Sequence, residues 1–219
     1  MSIVIPCADS ENRSRAVTAA AAAMKRGALV VLPTENAYVL ATDAFSARGC
    51  AALRQLKAYS SDTPLGVLVP RPSTVAGIAA GVTPSVSDAM RAVWPGLVTF
   101  LLPAQTTLNW DHPPESPIAV RMPNHPVALA VLRELGPMAV SPLPGADGAA
   151  QRSIPGLDVD GVDVVLDAGA LDGHAGTWEN SAKPSTVIDF TTSAPRIVRD
   201  GAWDEQRLRV LIPGLCDGE

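Results

Sequence analysis

Aromatic residues are scarce in this 219-residue chain, at 4%. A core must therefore rest on Val, Leu, Ile and Ala, and hydrophobic residues as a whole reach 47%. That content supports a sizeable core and excludes a disordered chain. Charged residues are also few, at 18%, with a net charge of −5. A mildly acidic chain argues against a large nucleic-acid footprint, although a local basic cleft stays open. Cys7, Cys50 and Cys216 are the three cysteines. No pair has zinc-ligand spacing, and an odd number suits no closed disulfide framework. His112, His125 and His174 are equally isolated, so no metal site built by the protein alone is expected. No charged-then-apolar leader opens the chain, and no apolar run has the length to span a bilayer. A Walker phosphate loop, a G-x-G-x-x-G turn and a nucleophile elbow are all missing. The expectation is one soluble domain over residues 1–219, in a reducing cytoplasm, with any phosphate held by side chains and scattered amides.

What is present alternates between helix and strand patterns. "ENRSRAVTAAAAAMKRG" (11–27) predicts a helix with basic residues at its end and a glycine stop. Ser46 caps a second over 46–57, and Thr83 with Pro84 opens a third over 83–96. "HPVALAVLRELG" (125–136) predicts a fourth, and a last one falls near 203–211. "ALVVLP", "PLGVLVP", "LVTFLLP", "SPIAVRMP" and "PMAVS" read as strands, with cores at 28–32, 65–69, 97–102, 117–122 and 137–141. "VDVVLDAG", "STVIDF" and "PRIVRD" add three more over 162–169, 185–190 and 195–200. Segments 142–161 and 169–184 read as loops. Several strands fall in pairs, which predicts an α/β fold with a twisted mixed sheet flanked by helices.

Polar clusters sit where strands end. "LPTENAYVLATDAF" carries Thr34, Glu35, Asn36 and Tyr38 directly after a buried strand, a favoured place for a ligand loop in such folds. A turn closed by a capping threonine explains the same residues. Lys57 ends a helix ahead of a Ser/Asp/Thr turn, either as a phosphate contact or as an ordinary helix-terminal lysine. Arg121 stands in an otherwise apolar strand, and burial would oblige it to find an anion. Ser141, Ser185 and Arg199 mark other strand ends.

Seven ordered segments carry a resemblance. "LPTENAYVLATDAF", "LKAYSSDTPLGVLV", "WPGLVTFLL", "VRMPNHPVALAVLRELG", "PMAVS", "STVIDF" and "PRIVRDGAW" follow the order and spacing of the YrdC-like family. Over roughly residues 12–210 the chain resembles the L-threonylcarbamoyl-AMP synthases. The resemblance implies a twisted sheet with an open, positively lined cavity. It implies a reaction of L-threonine, bicarbonate and ATP with Mg²⁺ that releases pyrophosphate, in the threonylcarbamoyladenosine modification of tRNA. Other tRNA-modification proteins are the implied partners, and double-stranded RNA binding has been associated with the fold. Thr34 and Tyr38, with Asn36 between them, match the threonine and nucleotide pocket, and Arg121 matches the arginine beside the threonine carboxylate. Lys57 and Ser141 match the family's K-x-R and S-x-N motifs and stand closest to the chemistry. Ser185 and Arg199 match residues of the ATP site.

The family's K-x-R is Lys57-Ala58-Tyr59 here, and its S-x-N is Ser141-Pro142-Leu143. A bidentate cation has become a phenol, and an amide has become an alkyl group. Asn36, Val39 and Ala41 replace a threonine and two glycines of the first motif. These changes keep two further readings open: a paralogue acting on another amine, and a non-catalytic protein that binds a nucleotide or RNA.

Overall fold

The computed structural model describes residues 2–143, 149–154, 160–171 and 183–216. Ten strands form one sheet: β1 Ile3–Pro6, β2 Val30–Pro33, β3 Tyr38–Asp43, β4 Gly66–Leu68, β5 Val98–Leu102, β6 Ile118–Arg121, β7 Met138–Pro142, β8 Val164–Asp167, β9 Thr186–Asp189 and β10 Arg196–Arg199. Five α-helices accompany them: α1 Ser10–Lys25, α2 Ala47–Leu56, α3 Pro84–Val93, α4 Pro126–Leu135 and α5 Glu205–Leu211. A 3-10 helix, Pro72–Gly77, connects β4 to α3. The sheet order is β1-β8-β2-β3-β7-β4-β6-β5-β9-β10. Parallel pairs (β1/β8, β4/β6 and β5/β9 among them) alternate with antiparallel ones such as β2/β3 and β3/β7, so the sheet is mixed, as predicted.

The helix ends follow from short-range chemistry. Ser46 accepts the Gly49 N–H at 3.1 Å and Thr83 accepts that of Val86 at 3.3 Å, each satisfying an amide that the first helical turn leaves without a partner. Asp9, one residue outside α1, caps it by accepting the Asn12 N–H. Gly49 is required by packing. A Cβ there would fall inside van der Waals contact of the Thr42 side chain on β3, so only glycine lets α2 lie this close to the sheet.

Both faces of the sheet are used, but not equally. On one face α2 packs over Val31, Tyr38 and Leu40, and α3 and α5 pack over Phe100, Leu102 and Val120. On the other, α1 and α4 cover Val30, Leu32, Ala41, Leu68 and Met138. That second layer does not continue across β5 and β6. Buried Val98, Phe100 and Leu102 alternate there with partly exposed Thr99 and Leu101, and buried Ile118 and Val120 with the less deeply buried Ala119 and Arg121. A strand turns successive side chains to opposite faces, so half of one face is left bare.

Three elements have no counterpart in the sequence reading: β1, β3 and the 3-10 helix. The most consequential is β3. It pairs antiparallel with β2 from Val30↔Ala41 to Pro33↔Tyr38, which makes Thr34–Ala37 the loop of a hairpin. The predicted loops at 142–161 and 169–184 lie partly outside the described residues. Among the described residues no helix is long and apolar enough to cross a membrane.

Candidate functional site

The bare half-face is the floor of a cavity of about 400 Å³. Seven adjacent strands contribute to it: Val39 from β3, Val140 and Pro142 from β7, Gly66 from β4, Arg121 from β6, Thr99 from β5, Val187 from β9 and Arg199 from β10. The floor is largely apolar, and its cations are Arg121 and Arg199.

Arg121 sits on β6 opposite Leu68 of β4, at the end of the strand pair. Its Nη1 donates to Glu35 Oε1 at 2.5 Å, and both side chains are about nine-tenths buried, at 11% and 10% exposure. Glu35 belongs to the β2–β3 loop, so the hairpin supplies the carboxylate that pairs with Arg121. The other carboxylate oxygen, Oε2, is buried and has no hydrogen-bond partner. Arg199 lies at the rim and donates to both the carbonyl and the hydroxyl of Ser185, at 2.9 and 3.0 Å from Nη2. The Ser185 hydroxyl also meets Thr99 Oγ1 at 2.8 Å. Partial burial, and then the positive charge of Arg121, pull the pKa of Arg199 downward. Two guanidiniums that repel each other across a cavity form a site that an anion would relieve.

A second group meets at the β7 edge of the cavity. Lys57, the C-cap of α2, donates from Nζ to the Pro142 carbonyl at 3.1 Å. The Tyr59 hydroxyl lies 3.3 Å from Ser141 Oγ, and Lys57 Nζ lies 5.8 Å from the centre of the Tyr59 ring. Between them Ala58 adopts a left-handed backbone, φ 52°, which turns the chain back toward β7. The loop is held from below by Arg54, whose side chain is only 5% exposed. It donates to the Thr63 carbonyl at 2.8 Å and forms an ion pair with Asp111 at 2.7 Å.

The remaining residues singled out from sequence lie deeper or elsewhere. Thr34 is fully buried, and its hydroxyl closes the hairpin loop by donating to the Ala37 carbonyl at 2.6 Å. Asn36 Nδ2 donates to the Lys183 carbonyl at 3.3 Å, tying the loop to the segment before β9. Tyr38 is buried among Leu40, Leu53 and Val165 on the helix-covered face. Its hydroxyl donates to the Gly169 carbonyl at 2.7 Å and accepts the Ala168 N–H, and burial drives its pKa far upward. Leu143 is 4% exposed within the same apolar cluster. Arg121, Ser141 and Arg199 thus line the cavity, Ser185 is bonded to Arg199, and Lys57 and Tyr59 stand at its edge. Thr34, Tyr38 and Leu143 support the frame around it. Sequence reading gave no separate role to Glu35, Thr99 or Arg54. The first carried a signal, as the acidic member of a polar loop after a buried strand. The other two read as ordinary strand and helix residues.

A bare sheet face that carries two arginines beside its helical layers defines an α/β protein with an open cavity on its strands. The Sua5/YciO/YrdC family model, described as "Telomere recombination", matches residues 22–201, and the chain belongs to that family. A Mycobacterium tuberculosis protein named "Putative threonylcarbamoyl-AMP synthase" is 37% identical over 219 residues, spanning 97% of this chain and 96% of its own length. The crystal structure of P. abyssi Sua5 complexed with L-threonine superposes with a TM-score of 0.82 at 21% identity, covering 100% of this chain and 62% of that one. This chain therefore spans less than two thirds of the length of that protein. E. coli YciO superposes with a TM-score of 0.72 at 24% identity, covering 93% and 98%. At these identities the structural likeness is one of fold.

Proposed function

We propose that the chain is an ATP-dependent synthase that joins L-threonine, bicarbonate and ATP into L-threonylcarbamoyl-AMP, releasing pyrophosphate and water. Its product would serve threonylcarbamoyladenosine modification of tRNA in the cytoplasm. The observation that carries this reading is the pair Arg121 and Arg199 on a bare apolar floor, with Lys57 and Ser141 at its edge. The chemistry asks the protein mainly for position and charge. The threonine amine combines with bicarbonate to give a carbamate, and a carbamate oxygen displaces pyrophosphate from the α-phosphorus. No covalent nucleophile is needed. Arg121 and Arg199 hold anionic groups of the reactants, and the low-dielectric floor strengthens that hold. Lys57, Ser141 and Tyr59 face the nucleotide phosphates, and Ser185 and Thr99 orient Arg199. Mg²⁺ arriving with the nucleotide would share the charge of those phosphates.

One observation favours a second reading. Leu143 occupies the core at the position of the family's asparagine, and Tyr59 places a neutral phenol where the family has a cation. A paralogue that binds nucleotide without turnover has this composition. Incubation with ATP, Mg²⁺, bicarbonate and L-threonine, followed for pyrophosphate and the adenylate, separates the two. Adenylate that forms only with all three substrates supports the synthase. Nucleotide binding without adenylate supports the paralogue.

A further inference from the structure

Gly66 opens β4 on the cavity floor, and nothing among the described residues requires a glycine there. Glycine in a strand costs stability, and its usual reasons are a bulge, a left-handed backbone or close packing. β4 pairs with β7 in unbroken register, from Gly66↔Val140 to Leu68↔Met138, so no bulge is present. Gly66 does not belong to the glycines of positive φ. A Cβ built on it would meet only Val140 among the described residues, at 3.6 and 3.7 Å, which is ordinary van der Waals contact. Gly49 and Gly201 differ, since a Cβ on them would fall 2.1 and 2.3 Å from the nearest neighbouring atom. One use of a strand glycine is left for Gly66, the close approach of a ligand to the sheet.

We propose that Gly66 is a specificity-determining residue, which leaves the β4 backbone bare to seat the uncharged middle of a ligand that spans the cavity. The sheet order supplies the reason, because β4 lies between β7 and β6. β7 carries Ser141 and the Pro142 carbonyl that Lys57 meets, and β6 carries Arg121. Neighbouring strands are about 4.8 Å apart, so a ligand that engages both groups covers about 10 Å and crosses β4. Val67 pairs with Val120, which sets Gly66 beside Ala119 on the cavity face. These two small residues make a trough. Val140 is one wall, and Leu101, paired with Ala119, is the other. The trough is apolar throughout, so the part of the ligand that crosses it is slim and uncharged, with the anionic groups at its ends. A side chain at position 66 would fill the trough and lift the ligand from the sheet. The inference rests on the reading of the cavity as a synthase site, with nucleotide phosphates at the β7 edge, and adds the residue that sets the depth of the seat.

The test pairs stability with affinity, because the two should move in opposite directions. Gly66→Ala is expected to raise the melting temperature of the ligand-free chain, since alanine loses less freedom on folding and meets no clash. The same change should weaken binding of α,β-methylene-ATP by about tenfold or more, the scale on which overpacking acts. That binding is titrated by calorimetry with Mg²⁺, L-threonine and bicarbonate present, and Gly66→Val should weaken it further. Gly77→Ala is the control. Gly77 lies in the 3-10 helix, where a Cβ meets nothing within 4 Å, and its substitution should leave the affinity unchanged. Unchanged affinity in Gly66→Ala overturns the proposal. So does a fall in its melting temperature, which would mean that the chain itself needs the glycine. Should Gly66→Val fail to fold, Gly66→Ala decides alone. A native chain that binds no nucleotide rejects both the seat and the synthase reading. Adenylate formation from ATP is scored separately. A Gly66-dependent affinity without adenylate removes the synthase and keeps the seat, whereas adenylate with an unchanged affinity removes only the role of Gly66.

Discussion

Cys7 and Cys50 are both essentially inaccessible, at 0% and 1% exposure. Burial, with Asp167 second, pushes the Cys7 thiol up to about 11, and burial with Asp111 second pushes Cys50 up to about 12. Neither is a thiolate at neutral pH, and thiolate is the reactive form. Cys216 is exposed. A chromogenic disulfide reagent at pH 8 should therefore titrate one thiol in the native chain and all three after denaturation. Rapid reaction of a second thiol in the native chain would contradict this packing. The two departures from the family motifs separate at the same scale. Tyr59 is 39% exposed and touches Ser141, so Tyr59→Arg puts a cation beside the cavity at little structural cost. If that edge holds phosphates, nucleotide affinity should rise by about tenfold, the worth of one bond to a charged group. Leu143→Asn is different. It buries an amide among Tyr38, Leu40 and Leu65, at a cost of about 1–3 kcal/mol, and reaches no ligand. Chemical denaturation of the two variants should show a large loss for the second alone.

At the level of elements, the loop after α2 depends on Arg54. This guanidinium bonds the Thr63 carbonyl, and both the side chain and the carbonyl of Asp111, from a nearly closed position. Only Arg54 is enclosed, since Asp111 is 32% exposed and keeps its hydration when the guanidinium is removed. Arg54→Ala is expected to cost about 1–3 kcal/mol for the lost hydrogen bonds, read as a shift of the urea midpoint with unchanged slope. Gly201 does similar work for the far edge of the cavity. A Cβ there would run into the backbone of Pro184, Ser185 and Thr186. Gly201→Ala should destabilise by about 1–3 kcal/mol and loosen the Ser185–Thr99 contact, which ligand binding would report as weakened affinity. Elements of this kind were legible from the sequence in unequal measure. The four long helices and the apolar strands announce themselves through caps, period and proline stops. β3 does not, because "YVLATD" is apolar on both sides and follows a polar loop without a glycine turn. It takes its strand character from pairing with β2 and β7, a non-local interaction that no short window contains. The same holds for β1, whose exposed Ile3 and Val4 are ordered by β8, far along the chain.

For the molecule as a whole, the site was legible as a set of residue types at strand ends and illegible as an arrangement. Arg121 could be read as a strand arginine in need of an anion. That the anion is Glu35, 86 residues earlier, follows only from the sheet order that brings the β2–β3 hairpin over β6. Leu143 shows the converse, since a position matched to a family motif lies buried in the apolar core at 4% exposure. The seven-strand floor also has a consequence in time. Its first strand, β3, begins at Tyr38 and its last, β10, ends at Arg199. A chain growing from the ribosome owns most of its cavity wall long before β9 and β10 emerge, yet it lacks Thr99's partner Ser185 and the second arginine. β8, which lies between β1 and β2, also arrives only after residue 163. Until nearly the whole polypeptide has been made, the ligand has no complete place to bind and lends the nascent protein no stability.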